Sequence, residues 1–181
     1  MPLPIGERRW ENDAEHSWSV AMLACSLAHE IDPTLDVGKI CQFAVAHDVV
    51  EVYANDTSAF ASEAELATKD QREEQAMLTI AEEFAHFPWI IRTIEAYERK
   101  DTDEARFVYA LDKYIAVTYD YIDEGKLFRE RKVTLEDYNK SLETHRAKAQ
   151  SYPAVGKYYN EVRDLLDAHP GFFHQNKETS K

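Results

Sequence analysis

Four acidic or basic side chains interrupt an otherwise apolar stretch, FAVAHDVVEVYANDTSAF, at residues 43–60: His47, Asp48, Glu51 and Asp56. Burying an unpaired charge is costly, and burying several demands a compensating group. Side chains three or four apart share one face of a helix. His47, Asp48 and Glu51 can therefore point into one cavity, and Asp56 follows closely enough to fold back over it. Two further segments carry similar residues. ENDAEHSWSVAM places His16 near the start of a helical pattern, on the side that runs on through Val20 and Leu23. YALDKYIAV embeds Asp112 beside Leu111 and one turn from Tyr109 and Ile115, an unusual setting for an acid that has no partner.

Taken alone, His16 reads as a core histidine. A buried His16–Asp112 ion pair would account for two of these residues but not for Asp48 and Glu51. Together, His16, His47, Asp48 and Asp112 offer two imidazoles and two carboxylates from three segments. That set suits one octahedral divalent ion, with two positions left for water and substrate. Mixed nitrogen and oxygen ligation favours manganese, iron, cobalt or nickel, and admits zinc or magnesium. No thiolate joins the set, which argues against a structural zinc site. Cys25 and Cys41 read as buried free thiols.

The elements that must position these groups are helical almost throughout. Apolar residues recur at helical spacing, and 5 Gly and 6 Pro leave little material for a turn-rich β fold. The spacing predicts a first helix over 14–29, with Val20, Leu23, Ala24, Leu27 and Ala28 inside, ended by Asp32-Pro33. A second over 37–53 should bury Ile40, Phe43, Ala44, Val50 and Val52. The ANDTSAF stretch reads as a loop. A third helix is expected over 64–84 and a fourth from Pro88. The fifth, over 102–124, has Thr102 or Asp103 as its cap. A sixth opens on Thr134 with Asp137 in the capping-box position, and a seventh covers 153–169. PGFFHQNKETSK reads as a tail, and Trp18 as core packing. The expected fold is an all-α bundle of about six to seven helices in one domain, 1–181, with the metal-site core over about 9–125 and further helices and the tail over 126–181.

Charge narrows the partners. The chain has 181 residues, 21 basic and 34 acidic, for a net −13. A nucleic-acid polymer would be repelled by that field, whereas a small anion could be held by a few local cations. No run of 18 apolar residues exists to span a membrane, and MPLPIGERRW has no apolar leader core. A cytoplasmic setting is expected. The 10 Tyr and 8 Phe could fill the core or feed a homodimer interface.

The order of these residues resembles the HD-domain metal-dependent phosphohydrolases, most closely the branch of the bacterial 5′-deoxynucleotidases. The resemblance rests on Arg9, Glu11, Asn12, Glu15 and His16, then His47, Asp48, Glu51 and Asp56, then Leu111, Asp112 and Lys113. It implies hydrolysis of a (deoxy)nucleoside 5′-monophosphate to nucleoside and phosphate. Related members of the fold would act on nucleoside triphosphates, guanosine alarmones or cyclic nucleotides, and a non-catalytic metal-binding scaffold is the contrasting class. His16, His47, Asp48 and Asp112 would be the metal ligands. Glu51 would orient or deprotonate the attacking water, or protonate the departing sugar oxygen. Asp56 would contact the sugar hydroxyl or the leaving oxygen, and Arg9 would approach the phosphate or support the metal site. Lys69, Arg72 and Lys113 are candidate phosphate partners, and Glu11 and Glu15 caps or supports. In that branch a further N-terminal helix with an Arg-Trp pair is usual. Eight residues precede Arg9 here, a departure from that pattern.

Overall fold

The computed structural model describes residues 9–55 and 61–175. Among these the regular elements are ten α-helices and a closing 3-10 turn. They are α1 (Asp13–Ile31), α2 (Val37–Ala46), α3 (Val49–Ala54), α4 (Glu63–Ala67), α5 (Lys69–Glu83), α6 (Pro88–Arg99), α7 (Asp103–Ile122), α8 (Lys126–Glu130), α9 (Leu135–Ala149), α10 (Pro153–Asp167) and the turn Pro170–Phe172. The fold is all-α, as expected.

Two of the extra helices come from breaks that hydrophobic spacing does not register, and the third, α8, falls between two expected helices. The expected helix over 37–53 divides at His47-Asp48, where Asp48 takes φ −102° and ψ 3°. The buried stripe nevertheless runs across the break, through Ile40, Phe43, Ala44, His47, Val50 and Ala54. Val52 is not part of it. It falls seven residues after Val45, on the same exposed stripe, and is 58% exposed. The expected helix over 64–84 divides at Thr68, which ends α4 and starts α5.

The chain forms two compact units. The first contains residues 12–108. Here α1 packs on α2, α2 on α6, α3 on α5, and α3 also meets α1. The inward face of α1 is small (Ser17, Val20, Ala21, Ala24, Ala28), which lets α2 approach closely. Trp18 and Met22, one turn apart, lie off that face. Trp18 is 67% exposed, so it is not the core residue its size suggests. Cys41 is exposed and Cys25 half-buried, and both are free thiols rather than buried ones. A second cluster, Ala46, Val50, Ala54, Ala76, Ile80, Ile90 and Ile94, joins α3 to α5 and α6.

The second unit contains residues 9–11 and 109–175. Its α9 packs on α10. Thr134 and Asp137 close the capping box that their spacing predicts, with Thr134 Oγ1 accepting from the Asp137 amide at 3.1 Å. The segment read as a tail contributes to the core. Phe173 is buried, stacks on Phe128 at 5.0 Å, and meets Tyr138 at 5.2 Å. Gly125, at φ 63°, turns the chain from α7 into α8 where an added Cβ would strike the carbonyl and side chain of Phe172. The helix α7 contributes residues to both units, and the Thr102 hydroxyl, accepting from the Ala105 amide at 3.2 Å, starts it.

Candidate metal centre

The position of His16 is set by the start of α1. Asn12 accepts from the Glu15 amide at 3.0 Å, and the Glu15 carboxylate accepts from the Asn12 amide at 3.1 Å. This capping box satisfies two of the helix's unpaired amides and fixes the first turn. Glu15 thus caps the helix, one of the two roles expected of it. His16 follows, its own amide donating to the Asn12 carbonyl at 2.9 Å.

His47 ends α2 and is 6% exposed. Its Nδ1 lies 2.8 Å from the Ala44 carbonyl oxygen. A carbonyl can only accept, so Nδ1 is the donor in this contact, and Nε2 is the ring nitrogen that faces the site. The Tyr97 ring from α6 packs against this imidazole edge-on, with centroids 6.0 Å apart. Tyr97 belongs to the apolar stripe of α6, and no spacing links it to a histidine 50 residues earlier. Buried Nε2 itself has no hydrogen-bond partner, a costly state for a polar atom unless something ligates it.

Asp48 stands at the N-cap of α3, where an aspartate normally accepts from the helix's first amides. Its side chain makes no such bond. It turns instead to the imidazoles, with Oδ1 3.2 Å from His47 Nε2 and Oδ2 3.7 Å from His16 Nε2. The two imidazole centroids are 5.4 Å apart. One ligand atom from each of His16, His47 and Asp48 lies within 4.8 Å of the others, and among the described residues this is the group of His, Cys, Asp or Glu side chains so arranged. The orphaned Nε2, a second imidazole and a carboxylate that has left its capping role are what a divalent cation requires. The residues present fit the ion.

The remaining expected site residues are placed as follows. Glu51 sits in the first turn of α3, three residues beyond Asp48, its amide donating to the Asp48 carbonyl at 2.9 Å. Asp112 is buried in α7 and belongs to the other compact unit, where Lys113 Nζ lies 2.5 Å from its carboxylate. Lys113 therefore neutralises its neighbour. Lys69 pairs with Glu73 one turn along α5, at 3.1 Å. Arg72 Nη1 donates to the carbonyls of Ala54 and Asn55, the latter at 2.9 Å. Arg9 is exposed, with Nη1 3.4 Å from the Trp10 carbonyl oxygen. Asp56 lies outside the described residues.

The other histidines have different surroundings. His145 is pushed down to about 4, first by burial and then by the charges of Lys113 and Lys148. His169 stacks on Phe172 at 4.9 Å. Among the described residues, no helix is long and apolar enough to cross a membrane.

Comparison with known proteins agrees with this geometry. The chain is similar to the crystal structure, at 1.37 Å resolution, of a predicted metal-dependent phosphohydrolase from Magnetospirillum magnetotacticum MS-1. The two superpose with a TM-score of 0.72 and 28% identity, covering 92% of this chain and 82% of that one. No curated protein matches the chain. A family model described as HD domain matches residues 4–153. With its paired His47-Asp48 beside His16, the chain belongs to the HD-domain family.

Proposed function

We propose that this protein is a metal-dependent phosphohydrolase that cleaves a (deoxy)nucleoside 5′-monophosphate to nucleoside and phosphate. The observation that carries the reading is His47 Nε2: buried, with the other ring nitrogen held by the Ala44 carbonyl, and facing the Asp48 carboxylate beside a second imidazole. The family and the similar structure of a predicted metal-dependent phosphohydrolase support the reaction class.

In this reading His16, His47, Asp48 and Asp112 hold one divalent cation, with manganese, cobalt, iron or nickel suited to the donor set. When bound, the cation supplies Lewis-acid polarisation of the phosphoryl group and acidifies water. Glu51 serves the proton. One turn from Asp48, it takes a proton from the attacking water or returns one to the departing sugar oxygen. The new bond joins the water oxygen to phosphorus, and the bond from phosphorus to the sugar oxygen breaks. The Asp48 carboxylate keeps both imidazoles oriented, and Tyr97 and Ala44 fix the His47 ring. Arg9, Lys69 and Lys113 remain candidates for the phosphate, and Asp56 for the sugar. Homodimerisation and a cytoplasmic setting belong to the same proposal, and light scattering tests the first.

The test is a phosphate-release screen over nucleoside mono-, di- and triphosphates, cyclic nucleotides and a guanosine alarmone, each with manganese, cobalt, nickel and magnesium. Release from a monophosphate is expected, and Glu51→Gln should lower it by about 10²-fold or more while leaving bound metal unchanged by elemental analysis. Metal binding without turnover on any ester would favour the non-catalytic scaffold.

A further inference from the structure

The helix that carries Glu51 is too short to hold its own direction. α3 has six residues, and a helix of that length is marginal on its own because nucleation outweighs the few bonds it forms. It also lacks the usual end supports. Asp48 at its N-cap makes no side-chain capping bond. At the other end the chain leaves through Asn55 at φ 62° and ψ 132°, a left-handed φ that side chains other than glycine adopt at a cost. The last carbonyls of any helix need outside donors.

Those donors come from α5. Arg72, in its first turn, donates from Nη1 to the carbonyls of both Ala54 and Asn55, bridging the last helical residue and the strained one. At the far end of α5, the Glu83 carboxylate accepts from the Tyr53 hydroxyl at 2.5 Å. Between the two ties Val50 and Ala54 pack on Ala76 and Ile80. α5 therefore acts as a splint along α3, and Arg72 closes its C-terminal end.

We infer that Arg72 is a positioning residue: its guanidinium clamps the exit of α3 and so holds in place the helix that carries Glu51, three residues after Asp48, rather than serving as a phosphate ligand. The kinetic part of this inference rests on the phosphohydrolase reading; the clamp itself does not. A guanidinium used on two backbone carbonyls is directed by them, and losing it would loosen the reacting geometry. Misplacement of a catalytic group slows the chemical step more than it weakens binding.

The experiment compares wild type, Arg72→Ala and Arg72→Lys by hydrogen exchange, by manganese-induced thermal shift and by steady-state phosphate release. In Arg72→Ala the amides of Val52, Tyr53 and Ala54 should exchange about tenfold faster or more, while those of α1 and α2 and the manganese shift stay as in wild type. Its kcat should fall about tenfold or more with KM within about twofold of wild type. Arg72→Lys, which keeps a donor on a long stem, should recover part of the kcat. Unchanged exchange in α3 overturns the clamp. Faster exchange with unchanged kcat overturns the positioning role. A KM raised about tenfold and restored by lysine identifies Arg72 as a phosphate ligand instead. Absence of turnover in the wild type would remove the phosphohydrolase reading, and the exchange measurement would still decide the clamp.

Discussion

Asp48→Asn separates the two tasks an N-cap aspartate can perform. In this protein the side chain does not cap α3; it faces the Nε2 atoms of His47 and His16 at 3.2 Å and 3.7 Å. Asparagine caps as well as aspartate, and its amide can still reach an imidazole. Without metal the substitution should therefore change stability by less than about 1 kcal/mol. With metal the outcome differs. A ligand that binds only the folded state adds RT ln(1 + [L]/Kd), about 2.7 kcal/mol at a hundredfold excess over Kd. For a chain of 181 residues each kcal/mol moves Tm by about 2–4 °C, so saturating manganese should raise it by about 5–11 °C. Asp48→Asn removes the only charge that the grouped His16, His47 and Asp48 offer the cation, and the shift should shrink to about 2 °C or less. The assay is differential scanning fluorimetry on chelator-stripped protein titrated with manganese, with bound metal counted by elemental analysis. A wild-type Tm that ignores the ion, or equal shifts in wild type and variant, would refute the metal-centre reasoning.

Phe173→Ala should cost about 3–5 kcal/mol in a urea melt, because it removes a buried ring stacked on Phe128; a loss below about 1 kcal/mol would mean the C-terminal segment is not core. Gly125→Ala should destabilise by about 2 kcal/mol or more, since it meets both a positive φ and the Phe172 carbonyl, and an unchanged Tm would contradict that packing. Burial, then the charge of Asp123, pushes Asp120 from 3.8 up to about 8. Its folded form thus holds a proton that the unfolded form has released, so its contribution is present below pH 3.8 and lost as pH rises through about 8. Relative to Asp120→Asn, the wild type should lose stability between pH 5 and pH 8 in paired urea melts; parallel curves would show that Asp120 titrates normally.

The sequence alone was enough for the helical class and for Thr134 as a cap, it named Thr102 as one of two candidate caps, and it marked His16, His47 and Asp48 as residues to look for together. These are local properties. Apolar spacing, cap chemistry and the anomaly of charge within an apolar face all act within a turn or two of the residue concerned. His47 was legible as an inward residue because it continues the stripe from Phe43 and Ala44 to Val50. What the pattern could not reveal depends on groups distant in the chain. The break at Asp48 leaves the apolar stripe unbroken and so produces no signal in it. Trp18 looked buried on hydrophobicity, yet small alanines on the adjacent face bring α2 close and leave the indole outside. Phe173 read as tail because its partners Phe128 and Tyr138 lie more than thirty residues away. Arg72 read as a candidate phosphate partner on a helix, and only the tertiary structure brings it to the carbonyls of Ala54 and Asn55. A sequence records which side chains can ligate, cap or pack. Which of them meet is decided by folding, since hydrogen bonds and ligand sets close over distances of about 3 Å whatever the separation along the chain.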